Sequence, residues 1–218
     1  MVGSSIQDYL KVIYKLSVSA QRVTPSQVAE RLAVSPAAVT KMVRRLQELK
    51  LAGHQRNEGL TLTPAGEKIA LEIIRHHRLL ETYLKEALGY TWDQVDAEAE
   101  KLEHVISEEF EDKIDQLLGY PSHDPHGDPI PTKDGRIDHT RHSTLSELES
   151  GQSSVICRVA DRDPAMLRYL GEMGLYPAVT VKMLDKAPYE GPLRVCVDDT
   201  EQVIGRELAN HVFVTVVS

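Results

Sequence analysis

The chain has 218 residues, 41% of them hydrophobic and 27% charged, with a formal net charge of −8. That length provides for two or three domains with a core in each, and the acidity argues against a nonspecific nucleic-acid binder. No apolar run of about 18 residues is present, and the first residues lack the basic and apolar regions of a signal peptide, so the expectation is a soluble cytoplasmic protein with no membrane partner.

In chain order, residues 6–16 place Ile6, Leu10 and Ile13 on one stripe and read as an amphipathic helix with Asp8 beside that stripe. Thr24, followed by Pro25, starts a second helix as its N-cap, and Ser35 with Pro36 repeats the signal for a third, longer one. In that third helix Val39, Met42, Val43, Leu46 and Leu49 face inward, while Lys41, Arg44, Arg45 and Lys50 face largely outward. Two helices joined by a short turn, the second capped and basic, form a helix-turn-helix. Residues 51–63 alternate and turn at Asn57, Glu58 and Gly59, which reads as a two-stranded wing.

Charge is unevenly distributed. Residues 22–56 carry seven basic side chains against two acidic ones, whereas residues 96–115 carry nine acidic against two basic. The first segment suits a polyanion and the second suits cations. On the presumed recognition helix, Ser35, Pro36, Ala37, Ala38, Thr40 and Lys41 lie where side chains reach base edges. Arg44, Arg45, Lys50 and the wing residue Arg56 are assigned to phosphates. Aromatic residues make up 5% of the chain, which argues against a single-strand stacking platform.

A long helix follows over residues 66–87, then a break at Gly89, then an acidic helical region over residues 93–118. At about 100° per residue, Asp96, Glu100, Glu103 and His104 fall on one face, where acids without a cation repel one another. His77 and Glu81 are four residues apart on the preceding helix, as paired ligands require. Residues 121–143, rich in Pro, Gly, Asp and His, read as a loop or linker that marks a boundary. Beyond it come four short β-type runs and one helix near residues 164–173, which is the pattern of a small β-barrel. Cys157 and Cys196 fall in those runs and read as small buried thiols. His54, His76, His139, His142 and His211 read as surface or core polar residues.

The order Asp8-Tyr9-Leu10, then His77 to Glu81, then Glu100, Glu103 and His104 resembles the diphtheria toxin repressor family of metal-dependent regulators, in its manganese-responsive branch. The segment Leu170-Gly171-Glu172-Met173-Gly174-Leu175-Tyr176-Pro177 is similar to the SH3-like module of iron-transport accessory proteins. The resemblance implies a mainly α fold with β in three parts. These are a winged helix-turn-helix DNA-binding domain (1–65), a helical dimerisation and metal-binding domain with linker (66–142), and an SH3-like, FeoA-like small β-barrel (143–218).

The resemblance also implies a homodimer that binds a palindromic double-stranded operator when loaded with metal, represses, and controls metal-transport genes. It makes Asp8, Glu100, Glu103 and His104 the regulatory site. Iron-responsive members carry methionine and cysteine at the places of Asp8 and Glu100, and the exchange of sulfur for hard oxygen favours Mn(II), with Fe(II) as the alternative. Two sites per subunit are expected. The second is made of His77, Glu81 and Asp96, or of Glu81 with Asp124, His126 and Asp163. Compact manganese members have a glutamate where Lys11 stands, which argues against a binuclear cluster of their kind. A metalloenzyme of inverzincin type is the rival reading, but Glu100 stands where that motif needs histidine, and no catalytic residue is assigned.

Overall fold

The computed structural model describes residues 3–55, 59–161 and 163–216; Arg56 and the turn residues Asn57 and Glu58 lie outside the described residues. Helices α1 (Ser4–Ser19), α2 (Pro25–Arg31) and α3 (Pro36–Glu48) are followed by strands β1 (Ala52–Gln55) and β2 (Gly59–Leu62). Next come α4 (Pro64–Leu88), α5 (Val95–Leu102) and α6 (Glu108–Leu117). The C-terminal part runs β3 (Ser143–Thr144), β4 (Ser153–Val159), α7 (Pro164–Glu172), β5 (Thr180–Lys186), β6 (Leu193–Val197), β7 (Thr200–Ile204), α8 (Arg206–Ala209) and β8 (Val212–Val216). The chain divides into two compact units: residues 1–77, 102–107 and 131–136, and residues 78–101, 108–130 and 137–218.

In the first unit the helix starts are set locally. Thr24 accepts from the Gln27 amide while the Gln27 side chain accepts from the Thr24 amide at 2.8 Å, a reciprocal capping box, and Pro25 takes the first helical position. Ser35 Oγ accepts from the Ala38 amide at 3.2 Å. Each such cap contributes about 1 kcal/mol. The turn between α2 and α3 passes through Ala33 at φ 52°. Leu10, Ile13, Val28, Val39, Leu46 and Leu60 are fully or almost fully buried, so α1 lies under α2, α3 and the antiparallel β1–β2 wing. Leu49, expected inward, is exposed, because α3 ends one residue before it and Leu49 serves as the cap.

In the second unit the six-stranded antiparallel sheet has the order β3-β8-β4-β5-β6-β7. Bulges interrupt β4 between Ile156 and Arg158 and β5 between Met183 and Asp185, bending the sheet around its core. That core is made of Ile156, Leu167, Leu170, Val181, Met183, Leu193, Val195 and others, and Trp92 is part of it. The α7 helix starts at Asp163, whose Oδ1 accepts from the Ala165 amide at 2.8 Å. The four expected strand runs correspond to β4, β5, β6 and β8. Cys157 and Cys196 are half-buried and free.

One expectation is corrected and another is sharpened. The acidic region is two helices: α5 stops at Leu102, and Glu103 and His104 occupy the turn that follows. Val105 and Ile106, a β-branched pair, disfavour helix, and Ser107 before Glu108 and Glu109 is a fresh start signal. Glu103 and His104 therefore do not continue the helical face of Asp96 and Glu100. Residues 121–142 are loop, one of the two readings expected, and within them Asp124, His126, Gly127, Ile130 and Pro131 are buried in a series of turns. Gly127 has φ 88°, and a Cβ there would lie 2.0 Å from the Cys157 carbonyl oxygen, so this turn sits against β4 with no side chain between them.

Candidate metal centres and the DNA-facing helix

One cluster lies in the first unit. Asp8 and Lys11, on α1, are three residues apart and therefore neighbours on the helix surface. The turn after α5 supplies Glu103 and His104, and α4 supplies His76 and His77. His104 Nε2 is 2.8 Å from Asp8 Oδ1 and 3.5 Å from Glu103 Oε1, while its Nδ1 is 2.9 Å from Gln7 Oε1. With Nδ1 donating to Gln7, Nε2 faces the two carboxylates where a cation between all three would be shared. Asp8, Glu103 and His104 each offer a ligand atom, all within 4.8 Å of one another.

Glu103 is the centre of this cluster and is fully buried. Lys11 Nζ donates to both of its oxygens, at 2.9 and 2.6 Å, and His77 Nδ1 lies 2.5 Å from Oε2. Its backbone carbonyl is 3.0 Å from His76 Nδ1. Burial pushes the Glu103 carboxyl up, but the His77 hydrogen bond and the Lys11 charge outweigh it and hold the group below its ordinary value.

The second cluster lies in the second unit, where Glu81, Asp124 and His126 offer ligand atoms within 4.8 Å of one another, and all three are buried. His126 Nε2 is 2.7 Å from the Trp92 carbonyl oxygen, which only accepts, so Nε2 carries the proton and Nδ1 keeps its lone pair. That Nδ1 is buried, has no hydrogen-bond partner, and stands 3.6 Å from Glu81 Oε1. A buried imidazole lone pair turned toward two carboxylates fits a divalent cation, and no hydrogen-bond donor among the described residues meets it. Burial, then the charges of Glu81 and Asp128, push the Asp124 carboxyl well above its ordinary range, against the opposing Arg78 at 3.6 Å. Asp124 Oδ1 accepts from the His126 and Asp128 amides, which fixes the turn. Trp92 stacks on His126 with ring centroids 5.9 Å apart, and Tyr176 packs on Trp92 at 4.7 Å.

Among the expected ligands, Glu100 is exposed and Asp96 half-buried on α5 in the second unit, where Asp96 and Glu81 offer atoms within 4.8 Å. His77 is buried against Lys11 and Glu103. Asp163 is not brought to Glu81, Asp124 and His126: it is exposed and its carboxylate caps α7. Sequence reasoning marks Lys11 only as a departure from the compact manganese members, and does not single out Gln7, Trp92 and Arg78 as partners of these centres.

Ser35, which caps α3, Pro36, Ala37, Ala38, Thr40, Lys41, Arg44 and Arg45 on it, and Lys50 just beyond it are all exposed. Ala37, Thr40, Lys41, Arg44, Arg45 and Glu48 line a shallow open depression along it. The hydroxyls of Ser35 and Thr40 are engaged locally, with the Ala38 amide and the Pro36 carbonyl. Arg45 and Glu48 form an exposed pair at 3.3 Å. No helix among the described residues is long and apolar enough to cross a membrane.

Comparison with known proteins places these features. The iron dependent repressor N-terminal DNA binding domain matches residues 1–60, the iron dependent repressor metal binding and dimerisation domain matches residues 63–132, and the FeoA domain matches residues 143–216. The iron-dependent repressor IdeR of Mycobacterium leprae (strain TN) is 35% identical over 153 residues, 66% of this chain and 65% of that protein. The transcriptional regulator MntR of Geobacillus kaustophilus (strain HTA426) is 34% identical over 120 residues, 55% of this chain and 84% of that protein. The chain thus spans just under two thirds of the M. leprae relative.

A solved manganese-dependent transcriptional repressor in complex with manganese has a TM-score of 0.89 at 36% identity, over 97% of this chain and 100% of that one. ScaR with bound Cd2+ has a TM-score of 0.82 at 33% identity, over 97% and 99%. A winged DNA-binding head followed by a metal-binding, dimerising region and an FeoA domain defines a class of metal-dependent regulators. The chain belongs to the diphtheria toxin repressor family, with both iron- and manganese-responsive relatives; this is a family of transcriptional repressors and not of enzymes.

Proposed function

We propose that the protein is a cytoplasmic Mn(II)-dependent repressor that binds a palindromic operator as a homodimer and controls genes of metal transport. The three-part division at residues 66 and 143 belongs to this reading. Its main support is the grouping of Asp8 on α1 with Glu103 and His104 from the turn after α5. Asp8, Glu103 and His104 would hold one divalent cation, and Glu81, Asp124 and His126 a second. When bound, the ion supplies the positive charge that lets crowded carboxylates sit together.

The chain's own part is mechanical. Asp8 and His104 tie α1 to that turn, and because α1 packs under α2 and α3, a fixed α1 fixes the recognition helix. In a two-fold dimer, two fixed recognition helices meet half-sites about one duplex turn apart, or a multiple of it. Ser35, Pro36, Ala37, Ala38, Thr40 and Lys41 face the bases, and Arg44, Arg45 and Lys50 the phosphates. The oxygen-rich donor sets suit a hard ion and support Mn(II). The Fe(II) reading draws on the identity to the iron-dependent repressor of M. leprae.

Footprinting of the chain's own upstream region and of metal-transport promoters, titrated with Mn(II) and anaerobically with Fe(II), tests this. Protection of a palindrome at lower Mn(II) than Fe(II) is expected. Protection indifferent to metal would refute the reading.

A further inference from the structure

Solvent reaches the two centres unequally. In the first, the side chains of Asp8 and His104 are 31% and 14% exposed, so an ion held there would meet water directly. In the second, Glu81 and His126 are 0% exposed and Asp124 is 7% exposed. What covers it is the turn that carries Asp124 and His126, together with the FeoA domain. The His126 carbonyl accepts from the Val159 amide of β4 at 2.8 Å, and Asp128 accepts from Arg158 of β4 at 3.3 Å. Trp92, stacked on His126, belongs to the FeoA core, and Tyr176 packs on Trp92 in turn. Both aromatic side chains close over Gly171 of α7, where a Cβ would lie 2.6 Å from the Tyr176 hydroxyl and 3.2 Å from Trp92 Nε1.

We propose that the FeoA domain gates the second centre, so that an ion enters or leaves Glu81, Asp124 and His126 only when residues 122–130 part from β4 and Trp92. The inference rests on the reading of both clusters as metal centres. With Glu81 and His126 wholly out of solvent, a hydrated ion has no route to them through the closed structure. Parting the turn from β4 breaks a backbone hydrogen bond, an ion pair and an aromatic stack together, which makes it a rare local unfolding event. Release is then limited by how often the gate opens, whatever the strength of the coordination bonds. Tyr176 is 40% exposed and is not a ligand; it holds Trp92 in place and is a positioning residue. The first centre would thus follow the metal supply, while the second would keep its ion through a short depletion.

The test saturates the full-length protein with radiolabelled Mn(II) and chases it with excess unlabelled Mn(II), which keeps both centres filled while label leaves. Two phases of one ion per chain each are expected, the slower by on the order of 100-fold. His104→Ala should remove the fast phase and Glu81→Gln the slow one. Tyr176→Ala should still hold two ions per chain and speed only the slow phase, about tenfold, the worth of one aromatic pair. Tyr176→Phe, which keeps the ring, should release as wild type does. A single phase for both ions, a slow phase that His104→Ala removes, or one that Tyr176→Ala leaves unchanged overturns the inference. Saturation below two ions per chain, or a count that Glu81→Gln leaves unchanged, overturns instead the ligand reading, and this inference with it.

Because Tyr176→Ala also removes packing around α7, a second measurement leaves Tyr176 in place: hydrogen exchange, by mass spectrometry, of the peptide containing β4. The Val159 amide is bonded to the His126 carbonyl, so its exchange reports the parting of turn and strand. Saturating Mn(II) is expected to slow exchange in that peptide in wild type and to leave it unslowed in Glu81→Gln. Exchange indifferent to Mn(II), or slowed equally in both proteins, would overturn the proposal.

Discussion

His126 donates from Nε2 to the Trp92 carbonyl oxygen over 2.7 Å, and that single bond decides which ring nitrogen faces Glu81. The ligating tautomer is therefore set by backbone geometry before any ion arrives. Glu81→Gln, which keeps the shape and removes the charge, is expected to lower bound Mn(II) by one ion per chain with an unchanged circular dichroism spectrum. Trp92→Ala removes the ring stacked on His126 and should weaken the same binding step about 10- to 100-fold in calorimetry. If both variants bind as wild type does, this cluster is not a metal centre.

The DNA-facing helix makes a different prediction. Arg44 and Arg45 are exposed on α3 beside Lys41. Replacing both with alanine should reduce the slope of log affinity against log salt by about 0.9 for each phosphate that is no longer neutralised. Sequence preference should hardly change, because these side chains are assigned to the phosphate backbone. An unaltered slope would remove them from the interface.

Metal preference tests the hard-donor argument. Asp8→Met combined with Glu100→Cys replaces two oxygen donors with sulfur, and metal-titrated operator binding should shift from Mn(II) towards Fe(II). An unaltered order of metals would show that preference is set elsewhere in the centre.

Acid stability can be read at Asp93, which lies 2.9 Å from Arg168 of α7. Burial pushes the Asp93 carboxyl up, but hydrogen bonds from Thr91 and Arg168 outweigh it and hold the group below its ordinary value of 3.8. A carboxyl held low in the folded state adds stability that is fully present above its unfolded value and is lost as pH falls through the folded one. Arg168 is largely solvent-exposed, so Arg168→Met should cost only about 0.5 kcal/mol near neutral pH. The gap between variant and wild type in urea unfolding should close as the pH falls below 3.8. A gap that stays constant with pH would assign the loss to packing.

The winged helix was legible in the sequence because Thr24, Ser35 and the prolines after them act on their own first turns, whatever else the chain does. The C-terminal strands were legible for a similar reason, except β3, only two residues long, and β7, whose Thr200, Glu201 and Gln202 carry no apolar alternation. Spacing misled over Glu103 and His104: a helical period can be drawn through them, but Val105, Ile106 and Ser107 end the helix before it reaches them. The order within residues 121–143 was hidden because the burial of Asp124 and His126 depends on Trp92 and β4, far away in sequence. The position of Lys11 was visible but its partner was not, since Glu103 is a long-range neighbour.

The turn carrying Asp124 and His126 meets β4 at a position where even a methyl group would strike the Cys157 carbonyl. Exchanging Gly127 for alanine would act as a wedge, prising the imidazole away from Trp92 while every coordinating side chain stayed in the sequence. If Glu81, Asp124 and His126 hold an ion as proposed, a descendant of this protein would lose that centre through one spacer residue, and an inventory of its acids and histidines would never reveal the loss.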